Sequence, residues 1–230
     1  MGTPIDPGAS SGRTILVLGG TGQTGRELTR QALARGHGVH ALVRSADRLG
    51  IVDPGLSVTV GTPMSAPDVQ ASMEGCDAVL SALGIARTSA WPWAPLASPP
   101  DLMSTSIGNA VAGMRALGIR RIVVVSAGGV GDSVGDMPLI FGWLVQHSGI
   151  GAAYQGHEDQ ERILRESGLD WTALRPSMLR TTDRRGVVVL SYGGRPKPHP
   201  WISRSVLAGL ALDAVDDPAL VGRAPTVSQV

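Results

Sequence analysis

Thr14-Ile15-Leu16-Val17-Leu18-Gly19-Gly20-Thr21-Gly22-Gln23-Thr24-Gly25 decides the fold. An uncharged run of strand-forming residues ends in a glycine cluster. Gln23 to Arg35 then follows a helical pattern, with Leu28, Ala32 and Leu33 on one face and Gly36 as its stop. Apolar residues without alternation mark a parallel strand covered on both faces. The glycines satisfy G-x-G-x-x-G through Gly20, Gly22 and Gly25, and G-x-x-G-x-x-G through Gly19, Gly22 and Gly25. Glycine at such positions permits the tight turn, lets the backbone approach a pyrophosphate and brings helix close to strand. The helix N-terminus offers N–H groups and a positive dipole end to the anion. The strand before, the helix after and a second strand beyond identify a dinucleotide loop rather than a turn that merely packs.

Outward from this loop the same alternation continues. Strands are expected at 39–43, 57–60, 77–82, 121–126 and 171–175, with helices at 67–73, 101–117 and 157–166. Such a pattern predicts an α/β fold, a Rossmann doubly wound parallel sheet with helices on both faces and small C-terminal substrate-side elements. One domain is expected over 13–230, after a flexible tail at 1–12 that is rich in Gly, Pro and Ser. Three segments read as substrate-side loops at the carboxyl edge: about 85–100, 128–153 and 177–203. The first holds Trp91, Trp93 and several prolines, which exclude a helix or central strand. Arg87, Trp91 and Trp93 are therefore candidate substrate contacts.

The end of the second strand selects the dinucleotide. An acid there suits the 2′-hydroxyl of NAD, whereas arginine suits the 2′-phosphate of NADP. The chain reads Val43-Arg44-Ser45-Ala46-Asp47-Arg48. Arg44, with Ser45 beside it and Arg48 beyond, favours NADP because guanidinium forks match phosphate oxygens.

Composition excludes other classes. Twenty basic against 19 acidic residues in 230 leave no footprint for nucleic acid. A single cysteine, Cys76, rules out an internal disulfide framework. His37, His40, His147 and His199 lack ligand spacing, so no metal is expected. No apolar run reaches bilayer length and no targeting signal is visible, so a cytoplasmic protein is expected, without membrane partners. It is expected to be a monomer or weak homo-oligomer acting on a small molecule. Nineteen of the basic residues are arginine and one, Lys197, is lysine.

Several further stretches carry a family likeness: Cys76-Asp-Ala-Val-Leu-Ser-Ala-Leu-Gly84, Val123-Val-Val-Ser-Ala-Gly-Gly129, Leu164-Arg-Glu-Ser-Gly-Leu-Asp-Trp-Thr-Ala-Leu-Arg-Pro176 and Ile202-Ser-Arg204. Together with the glycine loop and Val43-Arg-Ser45, the chain resembles atypical short-chain dehydrogenases of the NAD(P)H-binding, NmrA-like group, nearest the biliverdin reductase B/flavin reductase type. The resemblance covers about residues 13–228. It implies that Gly22, Gln23, Thr24 and Arg44 hold phosphates. It also implies that Ala82, Leu83 and Gly84 flank the adenine-ribose or nicotinamide side, that Ser126 faces the nicotinamide and substrate, and that Pro176 and Ser177 touch the nicotinamide end. Two departures stand out. Thr62 replaces the acid that often follows strand three, leaving an uncharged hydrogen-bond acceptor. Met178 replaces a histidine of the reductase type and becomes a candidate substrate contact.

Typical short-chain dehydrogenases use Tyr-x-x-x-Lys, in which the lysine lowers the pKa of the proton-donating phenol. Tyr154 is followed four residues on by Glu158, and Lys197 is preceded four residues back by Gly193. The dyad is absent, and Lys197, between two prolines, is expected to have no catalytic duty. Ser126, Tyr154 and His157 are the remaining candidates, with His157 expected near a helix start whose dipole would favour the neutral ring. The leading expectation is an NADP-dependent reductase transferring hydride to a bulky conjugated or polycyclic acceptor, such as a quinone, flavin, tetrapyrrole or aromatic polyketide. The alternatives are a non-catalytic NADP-sensing regulator and a tailoring enzyme for isomerisation or cyclisation.

Overall fold

In the computed structural model, residues 12–137, 139–182 and 186–230 are described. The expected tail thus lies outside the described residues except for Gly12. Ten strands occur among them: β1 (Thr14–Leu18), β2 (Gly38–Val43), β3 (Leu56–Val60), β4 (Ala78–Ser81), β5 (Arg121–Val125), β6 (Asp170–Pro176), β7 (Met178–Arg180), β8 (Val188–Ser191), β9 (Trp201–Ser203) and β10 (Thr226–Gln229). The six α-helices are α1 (Gln23–Ala34), α2 (Ala66–Met73), α3 (Leu102–Leu117), α4 (Leu139–His147), α5 (Ile150–Arg165) and α6 (Arg204–Asp216).

The main sheet runs β3-β2-β1-β4-β5-β6-β10-β8. It is parallel from β3 through β10, and only β8 at the edge is antiparallel. The order reverses between β1 and β4, which creates the crevice where open α/β sheets take ligands. Each β1 side chain from Ile15 to Leu18 is at most 1% exposed. Ile15 and Val17 pack with Leu28, Ala32, Leu207 and Ala208 of α1 and α6. Leu16 and Leu18 point the other way and pack with Val69, Ile107 and Leu164 of α2, α3 and α5. A two-residue side-chain period between two helical layers thus explains the unbroken apolar run.

Two expectations need correction. The helix expected over 157–166 begins at Ile150, so His157 lies in its middle and the dipole argument fails. Gly149-Ile-Gly-Ala-Ala-Tyr carries little helical signal of its own, but α5 packs against α3 and α4. Tertiary contact here overrides weak local propensity. The segment 177–203 is not a loop. It contains β7 and β9, which pair as a two-stranded parallel ribbon, and β8, which closes the main sheet. Within 128–153 the apolar part forms α4, preceded by a short 3₁₀ turn at Gly131–Asp136.

Candidate active site

Parallel pairing brings the carboxyl ends of β1, β4, β5 and β6 to one edge. At β1 the turn into α1 is built from Gly19, Gly22 and Gly25. Gly19 has φ +81°, and a Cβ there would lie 2.7 Å from Ala82 O at the end of β4. A Cβ on Gly25 would lie 2.1 Å from Gly19 O. Gly20 has ordinary space around it, so the G-x-x-G-x-x-G register describes the turn. Gly22 caps α1, whose first turn, Gln23 and Thr24 included, has no acidic side chain and no side-chain cap. Its N–H groups remain for an anion.

Arg44 and Arg48 are exposed beyond β2, with Ser45 half-buried between them. The Nη2 group of Arg26, in the first turn and a half of α1, donates to Arg48 O. Arg26 Nε is buried without an acceptor. None of these three guanidiniums pairs with an acid among the described residues. Arg26 was not singled out from the sequence; its place four residues past Gly22 was the available signal. At β3, Thr62 N donates to Asp68 Oδ2 at 2.9 Å, so a carboxylate from α2 reaches the position after the strand. Ala82 N continues the ladder to Leu18 O at 2.9 Å, and Leu83 and Gly84 follow it past the sheet edge.

A cavity of about 630 Å³ opens at the ends of β5 and β6. Ser126, Pro176 and Ser177 form its floor, Tyr154 and His157 of α5 one wall, and Phe141, Met178 and Pro198 much of its apolar surface. Ile140 and Met178 are 80% and 51% exposed, an apolar rim of the kind that marks a ligand site. Lys197 and His199 also line it, both exposed. Lys197 belongs to the 177–203 segment that the sequence put on the substrate side, and it lies there between Pro196 and Pro198.

Arg87, Trp91 and Trp93 are not among the residues lining this cavity. The 85–100 loop closes on itself through an Arg87–Leu96 bridge, and Arg87 Nη1 donates to Trp91 O at 2.8 Å. Trp93 Nε1 donates to His147 O at 2.9 Å, and its ring centroid lies 5.3 Å from that of Trp91. The tryptophans pack on each other and on the end of α4.

Behind the floor lies a buried polar cluster that the sequence did not advertise. Arg175 and Glu161, 1% and 0% exposed, pair through two hydrogen bonds of 2.9 and 2.8 Å. Arg165 adds a third at 2.6 Å, and Arg175 also pairs with Asp132. Ser126 Oγ, 3% exposed, donates to Glu161 Oε1 at 2.7 Å. Its only proton is committed, so toward a ligand Ser126 can accept but not donate. Tyr154 is similarly engaged: its hydroxyl donates to Gly128 O at 3.1 Å, and burial pushes its pKa up to about 12. His157 is half-buried, and loss of water pushes its pKa down to about 4 against a smaller opposing pull from Glu161. At neutral pH its ring is uncharged.

Residues 19–218 match the NAD(P)H-binding family. The chain belongs to that family. Among curated relatives of this NAD(P)H-binding protein is an uncharacterised chloroplastic protein of Arabidopsis thaliana. It is 27% identical over 211 residues, spanning 88% of this chain and 72% of the relative. ChuY of Escherichia coli O157:H7, described as an anaerobilin reductase, superposes with TM-score 0.77 at 21% identity over 94% of this chain and 97% of that one. A short-chain dehydrogenase/reductase of Veillonella parvula in complex with NADP gives TM-score 0.75 at 19% identity over 94% of each chain. These likenesses establish the short-chain dehydrogenase-like Rossmann fold. Among the described residues no helix is long and apolar enough to cross a membrane.

Proposed function

We propose that this NAD(P)H-binding protein is an NADP-dependent reductase of a bulky conjugated acceptor. The observation that carries the reading is the shared sheet edge. An anion-ready glycine turn at β1 and an open apolar cavity at β5 and β6 lie on one side of the sheet. The residues fit the dinucleotide. Gly19, Gly22, Gln23, Thr24 and Gly25 would hold its pyrophosphate, and the unpaired Arg44, Arg48 and Arg26, with Ser45, would hold a 2′-phosphate. The orphaned Arg26 Nε, a buried donor without an acceptor, fits an anion there. Thr62, Ala82, Leu83 and Gly84 would flank the adenine and riboses, while Ser126, Pro176 and Ser177 would receive the nicotinamide end. Ser126 can accept from a carboxamide N–H.

When bound, NADPH supplies a hydride. The chain supplies an open apolar cavity, with Phe141, Met178 and Pro198 against a flat apolar acceptor. Lys197 forms no ion pair among the described residues and would face an acidic substituent on that acceptor. Tyr154 holds its proton too tightly to be the donor a dehydrogenase dyad would make it. An acceptor whose developing charge spreads over a conjugated system does not need so strong a proton donor, and the proton can come from water. The names of the Veillonella and E. coli proteins, one solved with NADP and one a reductase of anaerobilin, support the same reading. The test is NADPH oxidation followed at 340 nm with menadione, FMN and a linear tetrapyrrole as acceptors. Turnover with at least one is expected, and none with any of them would overturn the proposal.

A further inference from the structure

His157 and Gln160 lie three residues apart on α5, on adjacent positions of one helical face. Gln160 is fully buried. Its Nε2 donates to Val125 O, the last carbonyl of β5, at 3.2 Å and lies 2.9 Å from His157 Nδ1. An amide nitrogen carries two hydrogens and cannot accept, so Nδ1 must be the acceptor. The amide cannot simply be reversed. Reversal would set Oε1 against the Val125 carbonyl oxygen. It would also turn the amide N–H groups toward the place where Oε1 now sits buried without a partner. The end of β5 therefore fixes the amide, and the amide fixes the imidazole. With Nδ1 accepting, a neutral ring carries its proton on Nε2. Nε2 has no protein partner among the described residues, and it is not among the sealed, unpartnered atoms. His157 lines the cavity.

We propose that Gln160 is a positioning residue that locks His157 in its Nε2–H form, so that the cavity presents a neutral N–H donor to a carbonyl oxygen or imine nitrogen of the acceptor. This rests on the reading of the cavity as the acceptor site and adds the donor that Ser126 and Tyr154, with their protons committed, cannot provide. A neutral imidazole polarises such an atom by hydrogen bonding without becoming a cation in the apolar cavity. The charged and titratable groups around it are Glu161 and Tyr154 on α5 and Lys197 and His199 from the facing segment. The acceptor atom so recognised is unprotonated and uncharged or partly negative.

The test reads nitrogen and turnover separately. Long-range proton–nitrogen NMR spectra of the full-length protein, assigned with His157→Gln, should show a protonated Nε2 and an unprotonated Nδ1 from pH 5.5 to 8. Gln160→Met should give mixed tautomers. With NADPH and menadione as the probe acceptor it should lower kcat about two- to fivefold, in proportion to the share of rings that lose the Nε2 proton, and leave the KM for NADPH unchanged. A proton on Nδ1 in the wild type overturns the lock, as does an unchanged kcat in Gln160→Met. Should Gln160→Met fail to fold, the wild-type nitrogen shifts decide alone. Absence of menadione turnover with Nε2 protonated would count against the reductase reading and not against the lock.

Discussion

At the scale of single residues, His157 makes the strongest physical statement in the cavity. Burial holds its pKa near 4, whereas an exposed histidine in the unfolded chain titrates near the ordinary 6.5. Between those values the unfolded chain binds a proton that the folded one refuses. The sign is therefore fixed: stability is full above about pH 6.5, falls as pH drops toward 4 and levels off below it. The shift corresponds to at most about 3 kcal/mol, because the half-buried ring keeps part of its water. Urea unfolding from pH 4 to 7 should show that loss in the wild type, and His157→Gln should flatten much of it. Other carboxylates contribute acid sensitivity to both proteins, so the difference between the two curves is the measurement. The sequence placed His157 on a helix and anticipated a neutral ring, but for a different reason. It invoked a helix dipole, and the structure shows desolvation in mid-helix. Burial depends on which elements pack together, and a sequence window does not contain that information.

Among the elements, the β1–α1 turn was legible almost completely. Strand and helix signals are local, and glycine spacing reports directly on backbone approach. Only the register was open, and Gly19, with φ +81° and a Cβ that would lie 2.7 Å from Ala82 O, resolves it in favour of the pattern through Gly19, since Gly20 has ordinary space. Gly25→Ala follows as a sharp prediction. Its added Cβ would stand 2.1 Å from a backbone oxygen, so the turn itself must move rather than a flexible side chain. Loss of the anion cradle should weaken NADPH binding by at least about a hundredfold, the range expected when several backbone contacts are displaced together. Gly20→Ala should bind nearly as wild type, because ordinary contacts surround that position. Fluorescence titration of NADPH checks both, and equal affinities for the two variants would refute the assignment. By contrast, the start of α5 and the strands β7 to β9 escaped sequence reading. Gly149 to Ala153 has weak propensity, and the three-residue strands β7 and β9 are shorter than any pattern can resolve.

For the whole molecule, two helical layers on a sheet that reverses order between β1 and β4 put every candidate ligand group at one edge. A ligand bound there contacts turns from several strands at once, so its binding energy is coupled to global unfolding rather than to a local segment. At a concentration 100 times its Kd, a ligand that binds only the folded state adds about 2.7 kcal/mol. For a chain of this size that is a rise in Tm of roughly 5–10 °C. NADPH should produce such a shift. NADH at the same concentration, if bound tenfold more weakly for lack of a phosphate at Arg44, Arg48 and Arg26, should add only about 1.4 kcal/mol and half the shift. Arg44→Ala should draw the two curves together by lowering the NADPH response and leaving that to NADH nearly unchanged, since the 2′-hydroxyl makes little demand on a guanidinium. Thermal unfolding of both proteins with each dinucleotide measures this without any acceptor in hand. Equal shifts from NADPH and NADH in the wild type would mean that the arginines beyond β2 do not read the phosphate, whatever the cavity reduces.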